Sequence, residues 1–300
     1  MTGFLAKSAA FVVALTGWRR WALAFAAGVG AALSMAPLYL LPLMAIGFST
    51  LALLVDGARE GARPARRGFV AGWFFGFGYF LVSLFWVGFA FLVQAEQFAW
   101  MAPFAVSGLP AFLALFTGGA TAAAAKFGGG GWRRIFALAV LLMLAEYARG
   151  HILTGLPWNL PGQAFAGTAI GAQTAAYWGV YGLSLIAIVA AMAPVAFVNG
   201  RGIFKGALVS LAALAAIFAF GAARLALLPK DDHADVFVRI VQPNIPQREK
   251  IDGDFWRRNY ERHIAMSSAP GPSAGRLFIL WPENAVPVID EVKEGLDILS

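Results

Sequence analysis

Cysteine is absent from all 300 residues, and only three residues are histidine. A disulfide framework and a thiolate metal site are therefore excluded, and no thiol nucleophile exists within these residues. Charge is also scarce, at 13% Asp, Glu, Lys and Arg, about half the roughly 25% of an ordinary soluble domain. Hydrophobic residues make up 60% and mean hydropathy is +0.70. So few polar groups cannot cover so much apolar surface in water, which excludes a soluble globular chain and leaves an integral membrane protein. Acids are scarcer than bases, 16 against 23, for a net charge of +7. In a soluble protein that excess would suggest nucleic acid. In a membrane protein it holds loops on the cytoplasmic side beside anionic lipid, so anionic membrane lipid is an expected partner and nucleic acid is not.

What is present is a series of apolar runs near the length of about 20 residues that a spanning helix needs. Seven precede residue 230: Trp21–Met35, Leu38–Val55, Phe69–Val93, Phe98–Ala125, Ile135–Ala148, Ile170–Val198 and Gly206–Leu228. The first and fifth are short and can borrow turns from Phe11–Gly17 and Gly150–Thr154. Alternate connections differ sharply in charge. One set holds Lys7, Arg19, Arg20, Arg59, Arg63, Arg66, Arg67, Lys126, Arg133, Arg134, Arg201 and Lys205, while the short connections between them hold only Arg149. The positive-inside rule then predicts a cytoplasmic N-terminus and, after seven spans, a tail on the opposite face. In a bacterial inner membrane that face is the periplasm. Arg19 and Arg20 precede an apolar run that leads into another span with no cleavage site, so no signal peptide is read.

Two stretches of the membrane part stand out. In the third run Gly72, Gly76 and Gly78 lie among Trp73, Phe74, Phe75, Phe77, Tyr79, Phe80 and Phe85. Small residues permit close helix contact, and the aromatics either fill space or line a lipid-facing groove. Trp86 and Glu96 fall near the outer interface. The second stretch, residues 146–163, holds Glu146 and Arg149 three apart on one helix face, then breaks at Gly155, Pro157, Pro161 and Gly162. An ionisable pair near a span end either pins the helix or stands near substrate. Trp158 is presented on the break. His151 has no partner at ligand spacing, so no metal site is expected.

After Lys230 the composition changes. Residues 235–241 alternate and are β-branched, as in a strand, followed by the turn-rich Gln242–Gln247. Asp254 is expected to cap a helix to about Met266 whose face presents Phe255, Tyr260 and Ile264. Arg276–Trp281 is a short, nearly all-apolar run, as expected of a buried central strand, and it ends in Pro282 and Glu283. Strand, helix, strand opens an α/β layered domain. Catalytic groups in such domains commonly stand outside the carboxyl ends of strands. From position alone Glu283 is either a general base or a cap on the following turn.

The segment ILWPENAVP, Ile279 to Pro287, resembles the glutamate motif of the nitrilase, or carbon–nitrogen hydrolase, superfamily. With seven spans before it, VQPNIPQ (Val241 to Gln247), EYARGHILTGLPWNLPG (Glu146 to Gly162) and GWFFGFGYFLVSLFWVGF (Gly72 to Phe89), the chain resembles the apolipoprotein N-acyltransferase family over nearly its whole length. The resemblance implies a multi-span α-helical membrane domain at 1–230, then at 231–300 the N-terminal part of a periplasmic αββα nitrilase-like domain, which the family inserts before an eighth span. It implies transfer of an acyl chain from a glycerophospholipid donor to the α-amino group of the diacylglyceryl-cysteine of an apolipoprotein, through a thioester acyl-enzyme made by a Glu, Lys and Cys triad. Glu283 takes the glutamate's place as general base. Lys293 follows it too closely to be the family lysine, and no cysteine is present, so the expectation is a fragment cut inside the catalytic domain and inactive alone. Trp158, Glu146, Arg149, Asn244 and Gln247 are the candidate substrate-binding or orienting residues, with the Gln242–Gln247 loop expected close to Glu283. No cofactor or metal is expected, and a monomer is. A transporter would need facing polar residues at mid-membrane, which the charges near the interfaces do not offer. A membrane-tethered nitrilase-like amidase and an inactive membrane remnant are the alternatives.

Overall fold

The computed structural model describes residues 2–197, 202–228, 235–271, 275–283 and 285. They divide into two compact units, Met1–Ala90 with Trp100–Leu228, and Phe91–Ala99 with Pro229–Ser300. Phe91–Ala99, inside the membrane part by sequence order, thus belongs to the second unit.

The first unit is helical. Its helices are α1 (Thr2–Ala14), α2 (Gly17–Ala32), α3 (Leu41–Arg59) and α4 (Pro64–Ser83), then α6 (Ala102–Phe127), α7 (Gly131–His151), the short α8 (Ala169–Ala172), α9 (Ala175–Met192) and α10 (Gly202–Leu227). The four-residue α5 (Ala95–Phe98) falls in the second unit. Each of the seven apolar runs overlaps one of the long helices. Among the described residues, four stretches are long and apolar enough to cross a membrane, those built on α3, α6, α9 and α10. A fifth qualifies if α4 is joined to the following 3-10 turn. At 16 residues α2 is too short, and α7, which carries Arg133, Arg134, Glu146 and Arg149, is not apolar enough by the same measure.

Boundaries differ from those read off hydropathy. The third run, drawn through to Val93, bends by 48° after Ser83. Its helix starts earlier, at Pro64, which suits a first-turn position where no N–H is required. The sixth run is broken: Gly179, at φ 63° and ψ 176°, interrupts α9. That left-handed conformation is open to glycine because it has no Cβ.

The centre of the unit is α4. Against α6 it presents Gly68, Gly72 and Gly76, where a Cβ at Gly72 would stand 1.9 Å from Thr121 Oγ1. Thr121 Oγ1 donates to the Gly68 carbonyl at 2.9 Å. Against α2 the approach is equally close, since a Cβ on Gly28 would meet the Phe75 carbonyl oxygen at 2.0 Å. Small residues let helix backbones reach the separation at which dispersion contacts are strong in lipid, where no hydrophobic drive exists between helices. Phe75, Tyr79 and Phe80 are buried; Trp73 stacks on Phe77 at 5.2 Å and Phe74 on Trp21 at 5.7 Å. Of the two readings of this run, space-filling describes most of these rings.

In the second unit, β1 (Val236–Ile240) and β2 (Arg276–Leu280) pair in parallel, Val236 opposite Arg276 and Ile240 opposite Leu280. The crossover carries α11 (Gln247–Ile251) and α12 (Trp256–Ser267). A parallel pair needs such a connection because the chain must return to the same end. Two expectations are corrected here. Asp254 does not cap α12, whose N-cap is Phe255 without a side-chain cap bond; Asp254 lies in a 3-10 turn that precedes the helix and is itself capped by Asp252, which accepts from the Asp254 N–H at 3.1 Å. The face that α12 buries carries Asn259 and His263, while Phe255, Tyr260 and Ile264 are half-buried, because the Trp281 ring lies 5.1 Å from that of His263. The second correction concerns β2, which is exposed over most of its length: among the described residues the sheet has two strands, too few to enclose it.

Candidate functional site

Candidate residues fall into two groups, one in each unit. In the first, Glu146 and Arg149 sit one turn apart near the end of α7. Arg149 is 2% exposed. Its Nε donates to Glu146 Oε2 at 3.1 Å, and an Nη makes a second bond to the same oxygen. Its remaining reach goes to the loop that follows, to the carbonyls of Leu156 and, at 2.9 Å, Trp158. The guanidinium also lies 4.9 Å from the Phe80 ring centre. A planar guanidinium suits this, since its fork of five N–H groups bonds several acceptors at once. The ion pair compensates a charge that would otherwise be costly to bury.

The same loop is tied from α4. Tyr79 Oη donates to the Asn159 carbonyl at 2.9 Å, and Asn159 Nδ2 donates to the Ser83 carbonyl at 3.1 Å. Asn159 has φ 56°, a left-handed conformation that asparagine tolerates better than most side chains. Trp158 is 45% exposed, its ring centre 5.0 Å from that of Trp86. His151 stacks on Tyr147 at 4.0 Å, its Nδ1 2.8 Å from the Tyr147 carbonyl. Glu146, Arg149 and Trp158 are thus one connected assembly. Reading the sequence missed Tyr79 and Asn159 as its other anchors, and the signal was the Asn in a Pro- and Gly-rich break.

The second group stands at the carboxyl edge of the strand pair. The Val241 N–H donates to the Leu280 carbonyl at 2.9 Å, extending the parallel ladder to its end. The Gln242–Gln247 loop and the Trp281–Glu283 segment therefore leave neighbouring strands at the same edge. Asn244, at φ 52°, is exposed between buried Pro243 and Ile245. Gln247 is exposed as the first residue of α11. Trp281 Nε1 donates to Ser267 Oγ at 2.9 Å and its ring packs on Tyr260 at 5.7 Å, which anchors the residue two before Glu283. Glu283 is exposed, and its carboxylate takes no hydrogen bond or ion pair among the described residues. Arg248 Nε donates to the Val93 carbonyl at 3.0 Å, tying α11 to the 91–99 segment. Lys293 lies outside the described residues.

Residues 27–193 match the family model of the apolipoprotein N-acyltransferase N-terminal domain, more than half of the chain. The chain belongs to this family. The match runs from α2 to the start of the turn after α9 and includes the Glu146–Trp158 assembly. Curated relatives named apolipoprotein N-acyltransferase include those of Rhodopseudomonas palustris, 36% identical over 95% of this chain, and Allorhizobium ampelinum, 38% over 94%. That of Brucella suis is 39% identical over 96% of this chain. The alignments cover 55%, 55% and 56% of these relatives, so the chain spans about half the length of the curated relatives it matches. The apolar helices and the family together make this a bacterial membrane protein.

Proposed function

We propose that this chain forms the membrane domain and the opening of the catalytic domain of an enzyme that N-acylates apolipoproteins at the outer face of the inner membrane. What carries the reading is one chain that joins the family's membrane segment to an exposed carboxylate, Glu283, without a partner among the described residues, at the carboxyl edge of a parallel strand pair. In a complete enzyme the triad's thiol and lysine come from outside these 300 residues, which hold no cysteine.

The chemistry follows from those roles. Glu283 accepts the thiol proton as the thiolate attacks the acyl ester of a glycerophospholipid. The lysine stabilises the oxyanion of the tetrahedral intermediate, Glu283 passes the thiol's proton to the departing lysophospholipid oxygen, and a thioester remains. The α-amino group of the diacylglyceryl-cysteine then attacks the thioester. Glu283 takes a proton from the attacking amine and returns it to the leaving thiolate, and an amide results. Trp158 borders the opening that admits lipid, with Arg149 and Glu146 as positioning residues that hold its loop. Asn244 and Gln247 orient the reactants beside Glu283. The basic loops face the cytoplasm, and the enzyme acts as a monomer.

The test is acyl transfer from a fluorescent phospholipid to a diacylglyceryl peptide by the complete protein, with Glu283→Gln as the variant. The expected result is loss of both acyl-enzyme and product with normal membrane insertion. Transfer at the unmutated rate by Glu283→Gln would overturn the assignment of the base. Transfer by the 300-residue chain alone would overturn the requirement for an outside thiol.

A further inference from the structure

The other end of α4, away from Trp86 and Trp158, holds a cleft of about 470 Å³ between the starts of α2 and α4. Its wall includes Thr16 and Gly17 from the first helix start, and Arg20, Arg63, Arg66 and Arg67. No carboxylate lines it. The nearby acid of α3, Asp56, is held by Arg134 at 2.8 Å, and Glu60, at the end of α3, is not part of the wall.

Three observations separate this cleft from a set of solvated loop arginines. First, both helix starts lack a side-chain cap and carry no acid in the first turn. Helix N-termini are the positive ends of the macrodipole and favour anions; here arginines occupy them, so the local field is positive twice over. Second, Arg20 is 2% exposed although it lines the cleft. Two of its nitrogens reach the carbonyls of Leu15 and Leu54, and its Nε has no hydrogen-bond partner among the described residues. A buried guanidinium with only neutral carbonyl partners is costly, and an opposing charge nearby relieves it. Third, Trp21 and Val70 share the wall with the arginines, and Trp21 is 41% exposed. The cleft wall therefore combines charged and apolar surface.

We propose that this cleft is a binding site for the phosphate group of an anionic phospholipid, with the glycerol and first acyl carbons along Trp21 and Val70. Arg63 and Arg66, exposed on the rim, reach the phosphate oxygens in charge-assisted bonds, and buried Arg20 supplies fixed charge behind them. On the topology read from the loop charges this is the leaflet opposite to the acyl-transfer chemistry, so the site binds lipid without acylating it. The proposal is independent of the catalytic reading.

The experiment measures thermal unfolding of the purified 300-residue chain in a zwitterionic detergent. The titrants are dioctanoyl-phosphatidylglycerol, dioctanoyl-phosphatidylcholine and inorganic phosphate. Phosphatidylglycerol is expected to raise the midpoint saturably, and phosphatidylcholine is not. In an Arg63→Gln/Arg66→Gln variant the apparent affinity is expected to fall about tenfold or more. An equal response to inorganic phosphate supports an anion site and overturns the lipid as its source. Equal responses to both lipids, no response at all, or a response unchanged in the double variant would overturn the site. The three titrations of the unmutated chain remain decisive if the variant does not fold.

Discussion

The indole rings of Trp86 and Trp158 meet at 5.0 Å between centres, one on the turn that follows α4 and the other on the break that follows α7. Both are more than 40% exposed, so their contact does little to hold the helices together. An aromatic pair contributes about 0.5–1.5 kcal/mol beyond its area. In a complete enzyme Trp158→Ala is expected to lower acyl transfer by up to about a hundredfold, the scale of a misplaced substrate, while insertion and thermal stability stay nearly unchanged. Parallel loss of folded protein and activity would assign the ring a purely structural role. Trp86→Ala is expected to give a weaker version of the same phenotype.

Arg149 makes a sharper prediction about stability. Arg149→Met leaves Glu146, whose side chain is only 13% exposed, without its partner and frees the Leu156 and Trp158 carbonyls, so a loss of about 3 kcal/mol is expected. A Glu146→Leu/Arg149→Met double variant removes the orphaned charge and should recover a large part of that loss. Thermal unfolding of the three proteins in one detergent checks this. A double variant as unstable as the single one would mean that the loop carbonyls, rather than the ion pair, set the cost.

Residues 146–163 also show how far the sequence could be read. The three-residue spacing of Glu146 and Arg149 is local, and helix geometry alone puts them together. The carbonyls that Arg149 binds lie on an irregular loop, and the Tyr79 hydroxyl that meets Asn159 comes from 80 residues away. No periodicity encodes either contact. The apolar runs announced the long helices because lipid rewards apolarity along the whole element. The same signal hid the bend after Ser83, since the 3-10 turn Phe85–Leu92 is as apolar as the helix before it. The apolar strand Arg276–Leu280 was legible as a strand; its exposure was not, since burial depends on which layers cover it.

Gly72 tests whether the close approach of α4 and α6 is needed. A Cβ there meets Thr121 Oγ1 at 1.9 Å and the Thr117 carbonyl at 2.8 Å, whereas one at Gly119 meets nothing within 4 Å. Gly72→Ala is therefore expected to destabilise by about 1–3 kcal/mol through overpacking, and Gly119→Ala to be nearly neutral. Equal melting shifts for the two variants would show that the helices separate freely at Gly72.

Arg239 links the strand register to the position of Glu283. Its guanidinium gathers the carbonyls of Ala269 and Pro270 at 2.6 and 2.7 Å, together with that of Ser267. Those three carbonyls lie at the last residue of α12 and just past it, where the chain turns towards β2, and Arg239 itself pairs with Ile279. One side chain on β1 thus ties down the segment that must enter β2 in register. Arg239→Met removes those bonds without disturbing the ladder directly. Because two of the three are exposed to water, a loss of about 1–2 kcal/mol is expected. Amide exchange should accelerate at residues 276–280 first, because a strand whose entry is slack opens locally before the unit unfolds. In a complete enzyme the same variant should lower kcat with little change in KM, since Glu283 is carried by that strand. Unchanged exchange at 276–280 would mean that β2 finds its register from side-chain packing alone, with Trp281 against His263 and Tyr260 as the contact that sets it.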